Sequence, residues 1–493
     1  MIFIFEYDET SADSIEKHAK KIVNKSISDL YKNDKKLNKK NKGRLGQLVE
    51  RIHFGIENNS DERPDFPFAG KRGVELKVTP VKEIKKRNNS KKAIKRNGLS
   101  VKERLVLKMI DYNKVVNESW EDNSLLDKID LILLMFYLYK RNLNIKDYKF
   151  ILASLWSIPE KDFDIIKSDW EKIINKIKNG DAHKLSEGDT LYLGACTKAS
   201  SSDDRRNQPC SKIAAKPRAF SLKRSYMDEI FNRLYERKNK SKNQISLLEG
   251  KIHSLETELK KIFKPYLGYN TEKIEKELKI YSDKMSKNYL SRLVNKIMGN
   301  DERKEIEEFK KAGIEIKTLR VNKKLVPFES LSFPAFDYRN LKSESWINSE
   351  FHDRLENTKY FFVIFKSSYE SKNSFNSLSN KEKKQDLHII DVMLWNMPGD
   401  DIETAKFVWE KMNNIMNKGG PIIKKISKNG RRFTNFPNKS ENPIAHVRPH
   451  ARSKNDTSPL PSNFELEEYT KHSFWLNKEY IAKNIKKEIE KNE

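Results

Sequence analysis

The feature that most constrains this chain is that it contains itself twice. The segment DYKFILASLWSIP (147–159) is echoed by DLHIIDVMLWNMP (386–398), so that Leu155, Trp156 and Pro159 fall on Leu394, Trp395 and Pro398. Fourteen residues after each of those tryptophans comes another, Trp170 and Trp409, each followed by Glu-Lys, and the offset of 239 holds across the block. Upstream, GVELKV (73–78) is echoed by GIEIKT (313–318) at an offset of 240, and GQLVERIHFG (46–55) by SRLVNKIMGN (291–300). Downstream, AFSLKRSYMDEI (219–230) returns as SFWLNKEYIAKN (473–484). Matches in one order at a nearly constant offset mark a repeated folding unit. Two tandem copies of one α/β domain are therefore expected, at residues 1–235 and 269–493, joined by a helical linker at 236–268.

Local patterns fill in the first copy. A Lys-rich helical start (15–50) leads to a strand at 73–80, bounded by Gly73 and Pro80, then a basic loop and a strand from Arg104 to Tyr112. The runs LILLMFYLY (131–139) and FILASLW (150–156) are continuously apolar, as strands buried on both faces are. Asp162 to Asn179 has helical periodicity and stops at Gly180. In the linker Ile245, Leu248, Ile252, Leu255, Leu259 and Ile262 recur at spacings of 3 and 4 up to Pro265. That predicts a helix packed on its own domain, since the seam is too short to assert an intermolecular coiled coil.

Charge narrows the partner. With 98 Lys+Arg against 71 Asp+Glu the net charge is +27, spread along the length, which points to a polyanion: nucleic acid or an anionic membrane surface. No stretch approaches the ~18 apolar residues that span a bilayer, and the most apolar run, Ile129 to Tyr139, is short and contains Asp130. The start MIFIFEYDE lacks the basic region of a signal peptide. Cys196 and Cys210 stand 14 apart without further ligand residues, which argues against a zinc finger and for a reducing, cytoplasmic compartment.

One segment carries chemistry. RPDFPFAGKRGVELK supplies Asp65, Glu75 and Lys77. On a strand Glu75 and Lys77 share a face while Leu76 packs behind. Asp65 and Glu75, with the Leu76 carbonyl, form a hard-oxygen set suited to magnesium. Lys77 beside such an ion would orient a water and offset charge on a phosphorane, the minimum kit for phosphodiester hydrolysis. Glu50, on the helix GQLVER, is placed to reach the same site as a further acid. The loop 194–220 is polar and basic: Lys198, Arg205 and Arg206 are candidates for base edges, Lys216 and Arg218 for phosphates. The run 81–104 holds ten bases against two acids and suits a backbone-tracking arm.

These residues also carry a family resemblance. GQLVE, RPDF and GVELKVTPV resemble the MutH-type endonuclease core, a branch of the PD-(D/E)XK nuclease fold. The chain is similar in particular to the two-domain type II restriction endonucleases of that branch that cut at GATC. The likeness extends through KERLVLKMIDYNKV (102–115), LSEGDTLYLGACTKA (185–199), RNQPCSKIAAKPRAFSLKRSYM (206–227), HVRPH (446–450) and SFWLNKEYI (473–481). The resemblance implies Asp65, Glu75 and Lys77 as the catalytic triad, Glu50 as an additional active-site acid, magnesium as cofactor, and 194–220 as the site-reading segment. It implies cleavage of double-stranded DNA 5′ of the guanine, leaving 5′-phosphate ends, in a prokaryotic restriction-modification system with a cognate DNA methyltransferase and pairing of two chains on DNA. A mismatch-repair nicking enzyme and a non-catalytic DNA-binding protein are the competing readings. The spacing from Asp65 to Glu75 exceeds the family's usual one by an insertion around Gly70-Lys71-Arg72, which leaves Asp61 and Glu62 as alternatives to Asp65.

The second copy keeps Glu315 and Lys317, but Asn295 stands at the position of Glu50 and no Asp-bearing segment precedes Glu315; Glu308, seven residues before it, is a poor substitute. It retains HVRPHARSKND (446–456), with Arg448, His450, Arg452 and Lys454 as counterparts of the reading loop. Pro449 between His446 and His450 argues against a helical metal pair. The second copy is expected to bind DNA without cutting it, resembling the allosteric effector module of the related enzymes.

Overall fold

A computed structural model describes residues 7–31, 45–57, 63–84, 98–140, 142–199, 201, 203–236, 244–248, 254–282, 284–300, 304–426 and 432–492. The chain divides into two compact units, 1–242 with 310–313, and 243–309 with 314–493. The proposed alternatives Asp61 and Glu62, and most of the basic run 81–104, lie outside the described residues.

In the first unit the strands are β1 (Glu75–Glu83), β2 (Leu99–Val101), β3 (Leu105–Met109), β4 (Ile132–Leu138), β5 (Phe150–Trp156), β6 (Leu193–Thr197), β7 (Arg206–Gln208), β8 (Ser211–Ala215) and β9 (Arg218–Leu222). One sheet runs β2-β1-β4-β5, with β1 and β4 parallel and the other pairs antiparallel; a second, antiparallel, runs β3-β9-β6. β4 is the apolar axis of the first sheet, Ile132 to Phe136 being wholly buried. That is why its sequence shows no alternation. The amphipathic helix Glu160–Lys178 buries Ile166, Trp170, Ile173, Ile174 and Ile177.

The second unit repeats this plan. Its strands are β10 (Gln244–Ile245), β11 (Glu305–Ile306), β12 (Ile314–Val321), β13 (Leu331–Ser332), β14 (Lys359–Lys366), β15 (His388–Trp395), β16 (Ile423–Ile426), β17 (Arg432–Thr434), β18 (Ala445–Pro449), β19 (Thr457–Pro459), β20 (Glu468–Thr470) and β21 (His472–Leu476). The sheet β12-β14-β15 has the parallel and antiparallel pairing of β1-β4-β5, and β13-β21-β18 matches β3-β9-β6. Register makes the equivalence residue by residue. Glu75 lies beside Ile132 and Ile132 beside Trp156; Glu315 lies beside Tyr360 and Tyr360 beside Trp395. Matching hydrogen bonds recur: Tyr226 donates to the Asp162 carboxylate and Tyr480 to that of Asp401, while Tyr112 and Tyr338 donate to the carbonyls of Lys216 and Thr470. The fold is a tandem pair of α/β domains of one architecture.

Two expectations change. The linker is not one helix. Ile245 pairs as a strand with Ile306, and the linker's helix among the described residues is Leu255–Phe263, capped by Ser254. Ile252 lies outside the described residues, and the chain from residue 243 onward clusters with the second unit up to Phe309. Within that helix Leu255, Leu259 and Phe263 are buried, so its apolar face does pack on its own unit. The residues Lys310–Gly313, by contrast, cluster with the first unit, where the buried Lys311 ammonium meets the Asp162 carboxylate.

Candidate active site

The site is assembled where β1 begins. Phe66 and Val74 exchange backbone hydrogen bonds of 3.0 and 2.9 Å, closing the loop between Asp65 and Glu75. The closure needs Gly73. Its φ is +94°, and a Cβ there would meet Pro64 side-chain atoms at 2.9 Å. The segment Gly70-Lys71-Arg72 lies within this closed loop, and Arg72 ties it to Asp127 at 3.0 Å. Asp65 Oδ2 accepts the Leu76 N–H at 2.7 Å, which fixes its carboxylate against the strand that carries Glu75 and Lys77.

Glu75 is buried, and two ammonium groups hold it: Lys77 Nζ lies 2.6 Å from Oε1 and Lys128 Nζ 2.8 Å from Oε2. Lys128 also donates to the Arg63 carbonyl at 2.6 Å. Burial, then the neighbouring Glu75, pushes the Asp65 carboxyl up to about 7; the Leu76 N–H and Lys77 act in the opposite direction. Glu50 is raised as well, chiefly by burial, with Glu75 raising it further and Lys77 and Lys128 lowering it. Three acids and two lysines thus act on one another in one cleft, as the sequence pattern anticipated for Asp65, Glu75, Lys77 and Glu50.

Lys128 was not anticipated. It sits on the short helix Leu126–Ile129, four residues before Ile132, the residue that faces Glu75 across the parallel pair. Only that register reveals it; LDKID has no motif of its own.

Among the described residues no three His, Cys, Asp or Glu side chains form a preformed metal cage. Magnesium does not require one, since it keeps several waters and is commonly held by one or two carboxylates. Burial first and the Glu75 charge second raise the Asp65 carboxyl, and a divalent cation between Asp65 and Glu75 would offset both, so the pair fits such an ion.

The residues expected to read DNA lie where β6 ends and β9 begins, at one end of the β3-β9-β6 sheet. Lys198 follows β6 and its N–H donates to the Pro217 carbonyl at 2.8 Å; the β7–β8 hairpin, carrying exposed Arg206 opposite Ala215, is inserted between β6 and β9. Arg205 is exposed and Lys216 half-buried beside it. Arg218, expected on phosphates, is instead inside: its guanidinium donates to the carbonyls of Ala195 and Leu185. It braces the sheet and cannot reach a phosphate from there.

In the second unit β18 occupies the place of β6, which sets His450 at the position of Lys198. Arg448, His450, Arg452 and Lys454 are all exposed. The Arg448 guanidinium stacks 4.7 Å over Trp475, and the His450 ring lies 5.5 Å from it. The Arg452 N–H is held by Asp456 at 3.0 Å. His446 is buried on Asn477, with its pKa lowered chiefly by burial, so the two histidines form no pair. The counterpart of the catalytic cleft is reduced: Glu315 meets Lys317 at 3.1 Å and Arg354 at 3.7 Å. Glu308 is committed elsewhere, accepting the Leu247 and Leu248 N–H groups at 3.1 Å.

Comparison with known proteins agrees with this geometry. A family model described as "DNA mismatch repair enzyme MutH" matches residues 54–169 and again 298–407, one match in each unit. The chain is 33% identical to the type II restriction enzyme Sau3AI of Staphylococcus aureus, over 96% of this chain and 98% of that protein. The chain belongs to the Sau3AI family of type II restriction enzymes. Single-copy relatives of this family are also similar: the DNA mismatch repair protein MutH of Vibrio campbellii is 26% identical over 40% of this chain and 80% of its own length, and that of Vibrio parahaemolyticus 25% over the same shares. A Sau3AI-family chain thus carries two MutH-like domains.

Proposed function

We propose that this chain is a magnesium-dependent type II restriction endonuclease that hydrolyses both strands of double-stranded DNA at GATC, 5′ of the guanine, leaving 5′-phosphate ends. The observation that carries the proposal is the buried Glu75 held between Lys77 and Lys128 beside a carboxyl raised to about 7, in a chain of the Sau3AI family. Asp65, Glu75 and the Leu76 carbonyl would hold the ion, with Glu50 in reach as a further acid. A magnesium ion bound there supplies Lewis acidity at the scissile phosphate.

The remaining work falls to the chain's own groups. Lys77 orients the attacking water and Lys128 offsets the negative charge that grows on the phosphate oxygens, both inside a largely buried cleft where such charges act strongly. Lys198, Arg205 and Arg206 read base edges and Lys216 contacts the backbone. The second unit binds DNA through Arg448, His450, Arg452 and Lys454 and acts as an effector. Cutting both strands of a palindrome takes two active centres or two sequential nicks, and pairing of two chains on DNA would supply the two centres. The enzyme works in a prokaryotic cytoplasm beside a cognate methyltransferase; among the described residues no helix is long and apolar enough to cross a membrane. Digestion of GATC-bearing plasmid with magnesium, with mapped ends, tests the proposal: a cut at another sequence, or unchanged cleavage by Glu75→Ala, contradicts it.

A further inference from the structure

Within the second unit, the helix Tyr289–Ile297 forms one wall of an open-mouthed cavity of about 200 Å³. Tyr289, Arg292, Leu293 and Lys296 follow one another at helical spacing along this wall, and Asn300 continues it. Ile280 faces them from the preceding loop. The floor is closed by Glu275, whose charge is already balanced by the buried Lys384 at 2.9 Å.

Among the described residues, one buried polar atom at this cavity has no hydrogen-bond partner. Asn300 is 7% exposed and its Nδ2 donates to Asn295 at 3.1 Å, but its Oδ1 finds no donor. Tyr289 is 3% exposed, and its hydroxyl lies within reach of Thr271 and Glu275, which leaves its ring as the apolar part of the wall. A buried acceptor left empty is costly, so such atoms are normally satisfied by a ligand or an ordered water. At the rim Arg292 and Lys296, one turn apart, are exposed and have no ion-pair partner among the described residues.

The three parts specify one chemistry. The two cations take an anionic group, Leu293, Ile280 and the Tyr289 ring take a flat apolar body, and the Asn300 carbonyl oxygen takes an N–H donor on the edge of that body. Fatty acids and inorganic anions lack the donor edge, and the open mouth leaves the anionic group of a larger ligand at the rim beside the two cations. We propose that this cavity binds a nucleoside 5′-phosphate whose base carries an exocyclic amine, supplied free or as a nucleotide unstacked from bound DNA.

The test uses the full-length protein in EDTA, so cleavage does not enter the readout and failure here leaves the nuclease proposal untouched. Calorimetric titration with dCMP, dAMP, deoxyribose 5′-phosphate and inorganic phosphate is expected to show one saturable site for the nucleotides. The exposed substitution Lys296→Glu should weaken it on the order of tenfold. Asn300→Leu should remove the preference for dCMP over deoxyribose 5′-phosphate, with an unchanged melting curve for Lys296→Glu guarding against misfolding. A 2-aminopurine duplex that brightens on the wild type and not on Lys296→Glu assigns the nucleotide to DNA; nucleotide binding without brightening assigns it to the free pool. No binding of any nucleotide in either form, or binding that survives both substitutions unchanged, overturns the proposal.

Discussion

The row Glu75–Ile132–Trp156 and the row Glu315–Tyr360–Trp395 sit at the same places in the same sheet, yet they are chemically unlike. The Glu75 side chain is 4% exposed and clasped by two lysines beside Asp65. The Glu315 side chain is 43% exposed, pairs with Lys317 and Arg354, and has Asn295 at the position of Glu50. The sheet, its register and even the E-x-K strand are therefore insufficient. Each glutamate is paired with two cations, so what separates the centres is burial plus a second and third acid, Asp65 and Glu50, beside Glu75.

The comparison is sharpened first where the effect is largest. Glu75→Ala and Lys77→Ala are each expected to lower the cleavage rate roughly a thousandfold, whereas Glu315→Ala and Lys317→Ala leave single-turnover cleavage by saturating enzyme unchanged. Quenched-flow digestion measures both. Lys128→Ala should cost about a hundredfold with DNA affinity retained, because it acts on Glu75 and the reacting phosphate and not on the reading loops. Loss of affinity with an intact rate would move Lys128 out of the centre.

Proton linkage gives the next difference. The Asp65 carboxyl, raised to about 7 from the ordinary carboxylate range, is protonated in the metal-free protein below that pH. Metal must displace the proton, so metal affinity should fall as pH drops from 8 to 6 and level off above about 7. Isothermal titration with magnesium in buffers of different ionisation heat counts the proton released. Asp65→Asn should abolish the proton release along with the tight site, while Glu315→Gln should not touch it.

Smaller effects distinguish reading from bracing. Arg448→Ala removes the guanidinium over Trp475 and is expected to cost about 1–3 kcal/mol in binding of a GATC duplex by the second unit. Stimulation of cleavage by an added duplex should be lost with it, measured by fluorescence anisotropy and rate. Arg218→Ala should leave DNA contacts in place and lower stability by about 1–3 kcal/mol, by stranding the carbonyls of Ala195 and Leu185. Arg206→Ala, on the exposed hairpin, should do the reverse.

Much of this was legible because repetition and β-strand alternation are written in one dimension. The duplicated Trp-bearing strands and the apolar β4 could be located from spacing alone. The Asp65, Glu75 and Lys77 set was singled out by the family resemblance, with Asp61 and Glu62 left as alternatives to Asp65. Neither route locates Lys128, because it joins the site through the Glu75–Ile132 pairing between strands. Arg218 reads as a surface base until β6 and β9 are paired, when its guanidinium proves to satisfy buried carbonyls. The linker misled for the same reason: Ile245 and Ile306 pair across sixty residues of sequence, and the apolar spacing of Ile245 to Ile262 mimics a seam that only Leu255–Phe263 makes helical.

The central claim, one cutting copy and one binding copy, is tested most directly by end-mapped single-turnover cleavage of a GATC duplex. The comparison sets Glu75→Ala against the double variant Glu315→Ala, Lys317→Ala. The account predicts cleavage slowed roughly a thousandfold from the first, and from the second wild-type single-turnover cleavage at the same phosphate. Residual cutting by Glu75→Ala that disappears when Glu315 is also removed would contradict it.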